Sequence, residues 1–237
     1  MDAAGYVSLT RQSGLMREME AVANNIANAS TTGFRREGVI FAEHVARLEA
    51  APSLSMADAR ARHIDLSQGE TSATGGTFDM AIQGDGFFLI ETPQGERLTR
   101  AGAFMPNAEG ELVNPYGHRL LDAGGAPIFV PPDAGPVGIG QDGTISADGI
   151  PLGRVGLWAA IDPLSLRHEG GTRFEAPGGV EPFEGGTILQ GRLEGANVNP
   201  VSEIARMITV QRAYEMGQSL MDREHERIRS VIESLGR

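Results

Sequence analysis

From Asn199 to Leu235 the chain reads NPVSEIARMITVQRAYEMGQSLMDREHERIRSVIESL. Within it Met207, Val210, Tyr214, Gly217, Met221, Glu224, Ile228, Val231 and Leu235 step alternately by three and four. That alternation keeps one stripe of side chains on one side of an α-helix, in the heptad spacing of helices that pack on other helices. Gly217 and Glu224 are its weak positions. Asn199 suits an N-cap, and Pro200 suits the first helical position, where the missing N–H would have had no intrahelical partner. The pattern predicts a helix from about Pro200 to Leu235, roughly 50 Å long at about 1.5 Å per residue. Ile204, Ile208 and Ile232 flank the seam and broaden it beyond a two-stranded stripe, so this helix wants neighbours on more than one side.

The other end of the chain repeats the pattern. Leu15, Met19, Val22 and Ile26 step by four, three and four, with Leu9, Met16 and Ala23 spaced by seven beside them. A second amphipathic helix is predicted from about Ala3 to Asn28. Isolated helices gain little from propensity in water, so neither stripe is stable alone. The economical arrangement packs the two ends on each other, with other subunits covering the remaining apolar surface; an ordinary intramolecular helical hairpin on a globular domain is the alternative. Near the end of the first helix, Asn24, Asn25 and Asn28 present amides that bond backbone groups or cap helices. Thr31, Thr32 and Gly33 then stop the helix, Gly33 tolerating positive φ, and Phe34 is free to anchor in a pocket.

Charge divides the chain in the same way. The net charge is −11, and it lies almost wholly between the two helical ends, where the glycines and prolines also concentrate. An acidic chain is a poor match for nucleic-acid phosphates, which call for a basic surface. All 20 basic residues are Arg, and there is no Cys, which excludes disulfides and thiolate metal sites. The first helix carries Arg11, Arg17, Glu18 and Glu20 in its apolar pattern, so no cleaved signal and no membrane span is expected.

The middle reads as antiparallel β. Phe78, Met80 and Ile82 alternate, Phe87 to Ile90 is a short apolar run, and Pro93-Gln94-Gly95 turns the chain before Leu98 to Phe104. Turns at Asn107 to Gly110, Gly124-Gly125, Asp142-Gly143 and Asp148-Gly149 punctuate short strands around Ile128, Ile145 and Val155 to Trp158. The fold class is therefore α+β: long N- and C-terminal helices with a central antiparallel β domain, a meander or open barrel. Residues 1–36 plus 200–237 form the terminal-helix assembly domain, 77–184 the β domain, and 37–76 and 185–199 extended linking arms. The stretches 37–76 and 159–190 look irregular.

Catalytic patterns fail on context. Gly138, Gly140 and Gly143 spell G-x-G-x-x-G, but a dinucleotide site needs a strand before and a helix after, whereas Pro131-Pro132 lies upstream and Gly143-Thr144-Ile145 starts a strand. The five His, at 44, 63, 118, 168 and 225, have no metal-ligand spacing, and Asp142 to Gly149 lacks the pattern of a calcium loop. No Gly-x-Ser-x-Gly elbow is present, and Asp79, Asp85 and Glu91 suit solvated or strand-terminal positions. No catalytic residue, cofactor, metal or small-molecule substrate is expected. A β-domain hydrolase or ligand-binding protein with a helical hairpin is the remote alternative.

Three separated motifs then carry a resemblance. Ala23-Asn24-Asn25-Ile26-Ala27-Asn28-Ala29-Ser30-Thr31-Thr32-Gly33-Phe34 resembles the N-terminal motif of the flagellar rod, hook and hook-associated axial proteins. The stretch Leu193 to Pro200, with Met207-Ile208 and Gln211-Arg212-Ala213-Tyr214-Glu215, is similar to their C-terminal motif. Gly84-Asp85-Gly86-Phe87-Phe88, Leu98 to Phe104 and Asp142 to Ser146 resemble their middle domain. Within the family the chain looks most like the proximal-rod member, and the distal-rod member comes next. The resemblance implies a non-enzymatic subunit of the basal-body rod, with the terminal helices in a coiled-coil inner domain and the β domain outside. It implies assembly with copies of itself and with proximal and distal rod subunits into a periplasm-spanning tube. Export through the flagellar type III apparatus without signal cleavage is implied as well. The assembly interface expected from motif and seam together comprises Leu15, Met19, Val22, Asn24, Asn25, Ile26, Asn28, Thr31, Thr32, Gly33 and Phe34 at the N-terminal end. At the C-terminal end it comprises Asn197, Asn199, Pro200, Met207, Val210, Gln211, Arg212, Tyr214, Met221, Ile228, Val231 and Leu235.

Overall fold

The computed structural model describes the backbone of residues 3–46 and 54–235 and the side chains of residues 8–40 and 62–234. Two compact units emerge, one of Met1–Ala27, Glu37–His63 and Asn199–Arg237, the other of Asn28–Arg36 and Ile64–Val198.

The first unit is built on two helices, α1 (Ala3–Ala27) and α2 (Pro200–Leu235). The start of α2 follows from the sequence. Asn199 caps α2, its Oδ1 accepting from the amides of Val201 at 3.0 Å and Ser202 at 3.2 Å, and Pro200 occupies the first helical position. The helices run antiparallel, since Glu18 pairs with Arg206 at 2.8 Å while Gln12, earlier in α1, lies against Gly217, later in α2. Leu15, Ala21, Val22 and Val210 are buried in this unit, each larger side chain contributing about 1.5–3 kcal/mol. At 36 residues α2 outlasts the 25 of α1 by about 11, or roughly 16 Å of helix.

The strands Glu37–Ala46 and Leu54–Ile64 pair with each other as a two-stranded sheet in this unit. The sequence reading had an irregular arm here. Val39-Ile40-Phe41-Ala42 does not alternate, and the Ala-rich second strand has low β propensity, so the pairing left no local signature.

The second unit is antiparallel β throughout. Its central hairpin joins Phe88–Thr92 to Gly95–Thr99, with Leu89 opposite Leu98 and Thr92 opposite Gly95. Five more strands extend it into a seven-stranded sheet that ends at Arg167–His168 on one edge and Met105–Pro106 on the other. The sheet is open, not a closed barrel, and Pro106 has no N–H to offer a further strand. Phe88 and Ile90 face one core with Met80, Ile82 and Phe104, while Phe87 and Leu89 face a second with Leu98 and Phe174. Apolar residues in sequence at 87–90 thus mean a strand buried on both faces.

Residues 159–190 are not irregular: Arg173–Glu175 adds beside Gly95–Thr99, and Phe174, with no solvent exposure, completes the second core. Thr187–Gln190 pairs with Met80–Gln83, and Arg192–Glu194 with Thr71–Ala73. The G-x-G-x-x-G stretch forms the turn between Val137–Ile139 and Thr144–Ala147, a strand–turn–strand geometry with no helix N-terminus to hold a pyrophosphate. Gly102 is obligatory, because a Cβ there would fall 1.6 Å from the Met80 carbonyl oxygen.

Candidate assembly interface

The residues expected at an assembly interface divide between the two units. In the helical unit Asn25 is fully buried in the last turn of α1. Its Nδ2 donates to the Glu37 carbonyl at 2.8 Å and to Glu203 Oε2 at 3.1 Å, while its Oδ1 accepts from the Glu37 amide at 2.9 Å. One amide therefore satisfies both backbone groups of the residue opening strand Glu37–Ala46 and binds a carboxylate in the first turn of α2. Glu37 and Glu203 are themselves 2% exposed, and Glu37 also faces Arg62 at 3.5 Å. Leu15 and Val22 are buried, and Met19, Asn24 and Ile26 half-buried, on the same helix.

The helix stops at Ala27, one residue before the Asn28 expected from the sequence, and Thr31-Thr32-Gly33 follow outside it. Asn28 ends it by turning the chain: its carbonyl accepts from the Thr31 amide at 2.9 Å and its Oδ1 from the Thr31 hydroxyl at 3.2 Å. Thr32 is half-buried in the same turn. Gly33 has a different task from capping. At φ +71° its Cα faces the backbone of Ala101, and a Cβ would lie 2.3 Å from the Ala101 nitrogen. Phe34 has no solvent exposure and packs on His168 with ring centroids 5.2 Å apart. Its pocket lies in its own β unit.

Asn197 ties the C-terminal motif into that β unit. Its Oδ1 accepts from the Arg36 amide at 2.6 Å, and its Nδ2 donates to the carbonyls of Asp65 at 2.8 Å and Ser67 at 2.9 Å. Along α2, Val210 is buried and Met207, Tyr214, Gly217, Met221 and Glu224 are half-buried, so the heptad seam faces inward over these positions. Ile228 and Val231 continue the seam but are exposed, 38% and 45%. Gln211 and Arg212 lie on the open side of the helix, Gln211 donating to Glu215 at 3.1 Å. The side chain of Leu235 lies outside the described residues.

Three residues with no assigned role in the sequence reading stand out. Arg35, Arg100 and Glu194 form a buried ionic cluster, and burial lowers the Arg100 pKa, with the neighbouring Arg35 charge adding to the effect. Their signal in the sequence was faint: each is a lone charge in or beside a conspicuous motif, with nothing local to pair it.

Comparison with known proteins places this geometry. Residues 6–35 match the family model "Flagella basal body rod protein", 81–147 the model "Flagellar hook protein FlgE/F/G D1 domain" and 189–234 the model "Flagellar basal body rod FlgEFG protein C-terminal". The flagellar basal-body rod protein FlgF of Caulobacter vibrioides is 40% identical over 100% of this chain and 99% of its own length. The chain belongs to the FlgF family of flagellar basal-body rod proteins. FlgF of Mesorhizobium japonicum is 39% identical over 98% of the chain and 97% of its own length, and the rod protein FlgG of Bacillus subtilis 30% over 96% and 97%. As a FlgF-family member the chain is a structural subunit of the basal-body rod and not an enzyme. The N-terminal match ends at Arg35 and the C-terminal match takes in Glu194, so the ion pair between them joins the two matched segments.

Proposed function

We propose that the chain builds the proximal rod by polymerising through its terminal helices, which join those of neighbouring copies in a coiled-coil inner wall while the β unit stays outside. Copies of the chain and the adjoining proximal and distal rod subunits are the partners. The flagellar type III export apparatus delivers it without signal cleavage, and the assembled tube spans the periplasm. The supporting observation is apolar surface left open on the helices. Leu9 and Met16 of α1 and Ile204, Ile208, Leu220, Val231 and Ile232 of α2 are each at least 45% exposed, a larger apolar share than a solvated helix face needs. The last turns of α2 carry the seam past the start of α1, and Ile228 and Val231 there are 38% and 45% exposed. Contacts that are head-to-tail rather than self-complementary propagate as a helix when the rotation does not close.

Limited proteolysis with sedimentation tests this reading. The expected result is rapid trimming after about residue 199 and before about residue 36, a resistant middle, and association by the intact chain alone. A stable monomer whose ends both resist cleavage would refute it.

A further inference from the structure

The Arg35 and Glu194 side chains are both 0% exposed, with Nη2 and Oε1 2.8 Å apart. Glu194 Oε2 lies 3.2 Å from Arg100 Nη1, so one carboxylate faces two buried guanidinium groups. Arg100 has further support: its Nη2 donates to the Gly84 carbonyl at 2.8 Å and its guanidinium lies 5.2 Å from the centroid of the Phe87 ring. Arg35 has none, since its Nε, Nη1 and Nη2 are all buried without a hydrogen-bond partner, and Nη2 meets Glu194 as an ion pair only. Among the described residues Glu194 is the only counter-charge of Arg35, and a buried charge stripped of its partner is strongly destabilising.

The same residue also binds backbone. Glu194 Oε1 accepts from the Gly69 amide at 2.8 Å, and its carbonyl accepts from the Gly33 amide at 2.7 Å. Three segments remote in sequence, 33–36, 65–69 and 194–197, therefore converge on Glu194, and Asn197 cross-links the same three through Arg36, Asp65 and Ser67. The chain passes between its two units at 27/28, 36/37, 63/64 and 198/199, so three of these four passages adjoin the clamped segments directly.

We propose that Glu194 is the positioning residue that clamps these three segments together, its carboxylate being the charge without which Arg35 does not stay buried. The end of the N-terminal motif and the start of the C-terminal motif are then ordered in one step. The clamp acts within one chain and is independent of whether the helices polymerise.

Amide hydrogen exchange on the full-length chain tests it. Glu194→Gln keeps an oxygen for the Gly69 amide and removes the charge. Exchange at Gly33, Arg36 and Gly69 should accelerate at least about tenfold, while the hairpin Phe88–Thr92 and Gly95–Thr99 keeps its protection. Adding Arg35→Met removes the orphaned cation at similar length, and the double variant should return those three amides to within about threefold of the parent. Uniform acceleration across the hairpin, unchanged exchange at the three amides, or a double variant worse than Glu194→Gln alone would each overturn the proposal. If Glu194→Gln does not fold, Trp158 fluorescence decides: a folded double variant supports the clamp and an unfolded one overturns it.

Discussion

Asn25 Nδ2 donates to Glu203 Oε2 across 178 positions of sequence, at 3.1 Å, in a site with no solvent exposure. An Asn inside a helix competes with the helix for backbone bonds, so its presence in the last turn of α1 needs a tertiary reason. The reason is the three-way bond to Glu37 and Glu203. The Asn-rich motif is thus a joint between α1, α2 and the strand that follows, formed inside one chain before any neighbour arrives.

Replacing Asn25 by Ala takes one hydrogen bond from each of three buried groups, the Glu37 carbonyl, the Glu37 amide and the Glu203 carboxylate. Each such group costs about 1–3 kcal/mol, so Asn25→Ala should destabilise the helical unit by about 3 kcal/mol. Far-UV circular dichroism at 222 nm reports the helices, and the single Trp, Trp158 in strand Trp158–Ala160 of the β unit, reports the other unit by fluorescence. The helical signal should melt at lower denaturant while the Trp transition stays put. Coincident shifts of both would contradict a defect confined to the helices.

Gly33→Ala carries two penalties at once. The φ of +71° is strained for a residue with a side chain, and the new Cβ would sit 2.3 Å from the Ala101 nitrogen, a backbone atom held in the β unit. A loss of more than about 2 kcal/mol is expected, larger than a left-handed conformation alone imposes. Here the Trp158 transition should move, in contrast to Asn25→Ala, because Gly33 packs in the β unit.

Gly217 presents the opposite case. As a weak seam position it looked like a flaw in the heptad, but a Cβ at 217 would meet Gln12 Nε2 at 3.4 Å, an ordinary contact. Gly217→Ala should therefore stabilise α2 by about 1 kcal/mol through helix propensity alone. Gln12→Leu should also stabilise, since Gln12 Nε2 is buried with no hydrogen-bond partner. Thermal melts at 222 nm check both, and a lowered midpoint for Gly217→Ala would show that the gap at this position is needed by the helix pair.

These cases show which parts of the fold local sequence encodes. The bounds of α2 were legible because a heptad seam, an Asn cap and a Pro are all local signals, and the 88–99 hairpin because two apolar runs bracket Pro93-Gln94-Gly95. Arg35 and Glu194 were not legible as partners. They are 159 positions apart, and an ion pair leaves no periodicity. Phe34 was legible as an anchor but not as one that stays within its own chain, since an apolar residue after a helix stop has the same pattern whether its pocket is internal or on a neighbour.

Acid should weaken the β unit from a higher pH than the helices, because His118 lies in the β unit, whereas in α2 the depressed group is a carboxylate, Glu224 held by Arg227. The Arg97 hydrogen bond holds the Glu169 carboxyl below its usual range, and the Thr144 hydroxyl and amide do the same for Asp142. A carboxylate depressed in the folded state contributes stability above its unfolded pKa, near about 4, and that contribution is lost as pH falls through the folded value. His118 acts in the same direction at higher pH, because burial and the Arg173 charge favour its neutral form. Stability followed by Trp158 should decline in two stages as pH falls, first below about 6.5 and then below about 4. Arg97→Gln should diminish the second stage, and an unchanged acid limb in that variant would remove Glu169 from the account.

The seam and the open face of α2 separate folding from association. Val210 is 4% exposed and Ile208 46%, although the two stand only two residues apart. Val210→Asp places an unpaired charge between the helices, where burial costs several kcal/mol, about 2 or more, so it should unfold the helix pair. Met207→Asp and Tyr214→Asp, half-buried on the seam, should do so to a smaller degree. Ile208→Asp meets water in the isolated chain and should leave the 222 nm melt within about 0.5 kcal/mol of the parent. If helices from neighbouring copies cover that face, the same substitution should abolish association in sedimentation and prevent incorporation into rods. Retained association by Ile208→Asp, with its fold intact, would move the interface to another face of the helices.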